Sequence, residues 1–196
     1  MQQSRVIPSP RSFACDLATL CAPTLAGLKP ASLFRYQPAP GQDAAAMAAA
    51  WHAALSPRGV TVRVLKQCPR TGAVLVYVYR PARVARLLAA PHMLDFLAGE
   101  GYTPGTADEL LDQLAERLCC EGDFPHEIGV FLGYPLADVI GFIQNRGKNF
   151  TCCGCWKAYG DPAAARQHFA QLNKCTAVYL RLFHSGTPIQ RLAVAA

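Results

Sequence analysis

The sequence predicts an α+β fold: a small, mostly antiparallel sheet of about four strands covered by several helices. Three observations carry that prediction. Val60–Gln67 alternates apolar and polar residues at period two, Ala73–Tyr79 is a near-continuous β-favouring run, and Pro69-Arg-Thr-Gly72 between them is a turn. Capped, helix-favouring segments stand on both sides of this hairpin. The composition, 52% hydrophobic and 16% charged over 196 residues, allows one sizeable core.

Residues 1–11 read as a flexible tail, and 12–196 as a single α+β domain. Phe13 to Cys21 has helical spacing that Ala22-Pro23 stops. Ala22 to Phe34 is punctuated by Pro and Gly yet rich in apolar anchors, so it reads as a loop lying against the core. Asp43 caps an Ala-rich helix that runs to Leu55 and is closed by Pro57 and Gly59. In the hairpin 60–80 the second strand is the central, buried one. Pro81 to Gly101 is helical with a break near Pro91, and a second helix runs from Thr106 to Cys120 with Glu109 at the capping-box position. Two short helices, 125–132 and 135–146, form a helix-turn-helix-like corner with Gly133 in the turn and Gly147 as a cap. A strand is expected near 155–159. Asp161-Pro162 opens a helix to about Asn173. Cys175 to Phe183 is apolar and β-branched enough for a last strand, followed by a turn and an apolar tail.

No segment reaches the roughly 18–20 apolar residues of a membrane helix, and the start Met1-Gln-Gln-Ser-Arg5 lacks a signal core. The nine cysteines include the adjacent pairs Cys119-Cys120 and Cys152-Cys153, which suit reduced thiols better than a secreted disulfide framework. A cytoplasmic location and no membrane partner are therefore expected. The net charge of +6 is dispersed; its densest segment, Arg80, Arg83 and Arg86, reads as a solvated helical face.

The stretch Phe124-Pro-His-Glu-Ile-Gly-Val-Phe-Leu-Gly-Tyr-Pro135, with Asp138-Val139, Gly141-Phe-Ile143, Gly147-Lys-Asn149, Cys153-Gly154, Trp156-Lys157, Tyr159-Gly160 and Cys175, resembles the bacterial domain-of-unknown-function family 3793. The loop 22–34 and the strand Leu75–Arg80 resemble that family's N-terminal half. The resemblance covers most of the chain and implies no activity or cofactor. Cys152 and Cys155 lie outside the pattern.

Three groups of residues could carry chemistry. The first is Cys152-Cys153-Gly154-Cys155 with Cys175 and His126. Zinc needs four ligands, generally as paired knuckles; Cys152 and Cys155 have knuckle spacing but no second knuckle exists, so no metal ligands are assigned. Buried inert thiols and a reactive Cys153 with His126 as base both stay open. The second is the segment 125–148. Ile128, Leu132, Tyr134, Val139 and Phe142 occupy helix-turn-helix core spacing, but Pro135 to Gln144 is nearly all apolar and Asp138 repels phosphate. Its chemistry favours a structural corner over a nucleic-acid partner.

The third group is polar residues in apolar settings: Lys29, Arg80 at the strand end, His126 and Glu127 after Phe124-Pro125, and Lys157 between Trp156 and Tyr159. Buried charges need partners. In one reading Glu127 pairs with one of these cations in a structural network. In the other, Lys29, Arg80 and Lys157 converge on a small anionic metabolite beside His126 and Glu127, with Tyr134, Trp156 and Tyr159 as walls. The second reading leads: a small-molecule-binding protein, with turnover by His126, Glu127 and Cys153 left open. A nucleic-acid regulator using 125–148 and a thiol or metal protein using Cys153 and Cys175 are the alternatives.

Overall fold

Alternation in the hairpin decides the architecture. β2 (Thr61–Gln67) and β3 (Val74–Tyr79) pair antiparallel, with a register shift between Val64 and Lys66. The other edge of β3 is taken by β1 (Ala31–Tyr36), also antiparallel, from Ala31 opposite Tyr79 to Tyr36 opposite Val74. The order β1-β3-β2 leaves β3 central, as its apolar run requires. Val74, Val76 and Val78 point to one face; Leu75, Tyr77 and Tyr79 point to the other. Both faces are covered, so the sheet is the middle layer between two cores. The computed structural model describes residues 12–119 and 124–195. The tail expected at 1–11 and Cys120 lie outside the described residues.

The first core contains Phe13 and Leu17 of α1 (Phe13–Leu20), Ala44, Ala48 and Leu55 of α3 (Ala44–Leu55), and the α10 residues Ile189 and Leu192 (Ile189–Leu192). Asp43 caps α3 through the amides of Ala45 and Ala46, as its sequence position predicts. The second core gathers α4 (Pro81–Leu88), α5 (Pro91–Gly99), α6 (Ala107–Arg117), α7 (Ile128–Phe131) and α8 (Leu136–Gln144). Thr106 and Glu109 form the expected capping box on α6. Tyr77 ties sheet to helices: its hydroxyl donates to the Phe131 carbonyl at 2.5 Å inside this core. Tyr77→Phe leaves that carbonyl without a donor. A loss of about 1–2 kcal/mol, read as a lower urea midpoint with an unchanged slope, is the expected result.

The α+β class and the small antiparallel sheet hold, with three corrections to its membership. Cys175–Phe183 is not a strand; it is the second half of α9 (Pro162–His184). No breaker follows Asn173 until Ser185-Gly186, and Tyr179, Leu180 and Phe183 recur on one helical face packed against the first core. The segment 22–34 is not a loop throughout. It forms α2 (Ala22–Leu25) and the first half of β1, because the open edge of β3 offers that stretch a full ladder of hydrogen bonds. The strand near 155–159 shrinks to β5 (Lys157–Ala158), which pairs only with β4 (Cys152–Cys153) in a separate two-stranded sheet.

At the corner expected at 125–146, the single turn α7 is followed by α8, which is docked on the protein. A Cβ on Gly129 would come 2.7 Å from Val139 Cγ2, so glycine there allows the close approach. Leu136 and Ile143 pack against the second core, and Asp138, Val139 and Gly141 are buried. The exposed positions of α8 are Ala137 and Gln144. Among the described residues no helix is long and apolar enough to cross a membrane.

Candidate functional site

The β4–β5 hairpin folds back onto α8, and that junction builds the site. After α8 the chain reverses through left-handed residues, Arg146 at φ 50° and Gly147 at φ 69°. This turn presents the Gly147 carbonyl to Lys157, whose Nζ donates to it at 2.7 Å. Asp138 fastens the other end. Its Oδ2 accepts from Trp156 Nε1 at 2.8 Å, and its Oδ1 accepts from the Tyr159 and Gly160 amides at 2.7 and 3.3 Å. Only 7% of Asp138 is exposed, so these bonds replace water for a buried carboxylate. On the far side Gly154 lies where any Cβ would enter the Phe169 ring, which presses the hairpin onto α9.

Between hairpin, α7 and α8 opens a chamber of about 360 Å³. Tyr134 and Trp156 stack at 4.7 Å with 23° between their rings, and Phe169 meets Trp156 edge-on at 4.6 Å. Phe142 forms part of the wall, with the His126 ring edge-on to it at 4.9 Å. His126, Cys153, Cys155 and Lys157 line it as well, with Asp138 at the hairpin end. The Lys157 ammonium also lies 5.7 Å from the Phe142 ring and 5.2 Å from the Phe150 ring. Burial pushes the Tyr134 hydroxyl above the ordinary tyrosine range, and the neighbouring Cys155 thiol adds to the shift. Tyr134 and Cys155 also face a second chamber of about 300 Å³, which Lys29 enters from the bend between α2 and β1.

The fold thus divides the residues that the sequence grouped. His126, Tyr134, Cys153, Trp156 and Lys157 share one chamber; Lys29 stands across Tyr134, its Nζ 5.1 Å from that ring. Arg80 is elsewhere, its guanidinium donating to the carbonyls of Thr24, Leu25 and Val194. Glu127 turns away from the chamber. It accepts from Tyr102 at 3.1 Å and pairs with Arg117 at 3.6 Å, so its cation is none of the three expected. Tyr159 packs its ring on Gly141, while its backbone amide is what reaches Asp138. Cys175 is on α9 near Tyr179, outside the chamber that Cys153 lines. No hydrogen bond joins Cys153 to His126 among the described residues. The described cysteines are free thiols, and no described cluster of three or more His, Cys, Asp or Glu could hold a metal ion.

Sequence reasoning missed Asp138, Phe142 and Phe169 as parts of the site. Asp138 had a signal: it is a lone carboxylate in the apolar run Leu136–Ile143, which requires a partner donor.

The family model for "Protein of unknown function (DUF3793)" matches residues 17–193. The chain belongs to that family. The match runs from within α1 to the end of α10, so the chamber, the second cavity and nearly all of both cores of this DUF3793 protein lie inside it. No curated protein and no solved structure matches the chain.

Proposed function

We propose that this DUF3793 protein binds a small ligand with a flat apolar body and an anionic end in the chamber between α7, α8 and the β4–β5 hairpin. One observation carries the reading: His126 and Tyr134, which flank α7, meet Trp156 and Lys157 of the hairpin around about 360 Å³ of largely aromatic space. That size falls in the range of small-molecule sites, where apolar walls bind and a few polar groups orient. Trp156 and Phe142 would hold the flat body. Lys157, fixed by the Gly147 carbonyl, keeps donors for an anion, and the His126 ring adds a nitrogen that can donate or accept a hydrogen bond. Any turnover would use His126 as acid or base and Cys153 as nucleophile. A nucleic-acid role has less support, because the one exposed hydrogen-bonding side chain of α8 is Gln144, its last residue.

Calorimetric titration with 2-naphthoate and its uncharged amide tests this. Saturable binding of the acid, weaker binding of the amide, and a loss of about tenfold or more in Trp156→Ala are expected. Lys157→Met should bring the acid down to the level of the amide. Circular dichroism of both variants controls for folding. Equal binding of acid and amide, or binding indifferent to both substitutions, overturns the reading.

A further inference from the structure

The second chamber poses a separate question. Ser32 and Leu33 of β1, Leu172 and Asn173 of α9, and Tyr134 surround it, and among the described residues no carboxylate lines it. Lys29 is half-buried there. Its ammonium faces the Tyr134 ring at 5.1 Å and, among the described residues, has no hydrogen-bond or ion-pair partner. A lysine so placed either receives an anion or gives up its proton. The groups facing it are Tyr134 and the thiols of Cys21 and Cys155. Burial lowers the Lys29 ammonium below the ordinary lysine range, while both thiols pull the other way. Burial holds those thiols above their own ordinary range, Cys21 most strongly, so they stay uncharged near neutral pH and give Lys29 no counter-charge.

We propose that Lys29 is a nucleophilic amine that captures an aldehyde or ketone in this second chamber as a Schiff base. The neutral amine attacks the carbonyl carbon, and one N–H proton passes to the oxygen. The carbinolamine then loses water, taking the second amine proton, and leaves the C=N bond on Nζ. No oxidant or metal is required. Asn173 is placed to orient the departing oxygen: its Oδ1 already accepts from Cys155 Sγ at 3.8 Å, which leaves its amide N–H groups for the carbinolamine. The site is distinct from the aromatic chamber, so it stands or falls independently of the ligand proposed there.

The test is reductive trapping of the folded full chain at pH 7 with propanal and sodium cyanoborohydride, mapped by peptide mass spectrometry. Lys29 is expected to become N-propylated faster than the exposed Lys148 and Lys174, because burial lowers its basicity and leaves more of the neutral amine. Accessibility alone predicts the opposite order. The preference should rise at lower pH than for the other lysines and vanish in concentrated urea. Lys29→Arg should remove it and leave the other lysines unchanged; Lys29→Met serves if circular dichroism shows the arginine variant unfolded. Labelling of Lys29 no faster than Lys148, or a preference that persists in urea, overturns the proposal.

Discussion

Arg80→Met is expected to cost about 2–4 kcal/mol of stability. Arg80 is 4% exposed at the end of β3. Its Nε donates to the Thr24 carbonyl at 2.8 Å, and its Nη2 donates to Leu25 at 2.6 Å and Val194 at 2.8 Å. Two of these acceptors are the last carbonyls of α2, where the helical ladder runs out, and the third belongs to the chain after α10. One side chain therefore joins the first helices, the central strand and the C-terminal segment. Methionine keeps most of the volume but donates nothing: the Val194 carbonyl loses its donor, while the Thr24 and Leu25 carbonyls each keep one backbone N–H, from Gly27 at 3.1 Å and Val194 at 3.0 Å. Urea unfolding should show a lower midpoint with an unchanged slope. Arg83, whose Nη1 donates to the Gly27 carbonyl at the surface, is the control: Arg83→Ala should stay close to wild type. Equal midpoints for the two variants would contradict this account of Arg80.

Asp138→Ala is the second large effect, because it removes the clamp on the site. Three donors, Trp156 Nε1 and the amides of Tyr159 and Gly160, lose their common acceptor. About 2–4 kcal/mol should be lost, together with naphthoate binding, since the hairpin that carries Trp156 and Lys157 is no longer pinned to α8. Asp138→Asn separates charge from geometry. An amide oxygen can still serve the two backbone N–H groups, but its nitrogen then faces the indole N–H, donor against donor. About half the loss is expected for Asn, with binding weakened rather than abolished. A fully stable Asp138→Ala, measured by the same urea titration, would show that the three bonds do not hold the hairpin.

Local rules account for the elements that the sequence predicts correctly. Asp43, Thr106 with Glu109, and Asp161-Pro162 fix helix starts through side-chain hydrogen bonds or a preset φ, and these act over a few residues whatever the tertiary context. The hairpin 60–80 was likewise legible from alternation and its turn. Two segments escaped because distant partners decided them. Ala31–Tyr36 looks like the end of a Pro- and Gly-marked loop until β3 supplies an edge. Cys175–Phe183 has strand-like composition, yet it prolongs a helix already nucleated at Asp161 and adds one hydrogen bond per residue.

The candidate site divides the same way. Composition and motif by themselves marked His126, Tyr134, Cys153, Trp156 and Lys157, since aromatic and ionisable residues concentrated in 124–160 stand out against an apolar chain. That the chain belongs to DUF3793 was also legible there. What only the tertiary structure decided is which polar side chains meet. Arg80 and Glu127 share the chemistry of Lys157 and Asp138, but backbone carbonyls from α2 and a pair with Arg117 engage them first. Lys29 finds no such partner among the described residues and is left facing a cavity. A sequence fixes which charges must be compensated; three-dimensional proximity, set by two cores packed on one sheet, determines which compensation each receives.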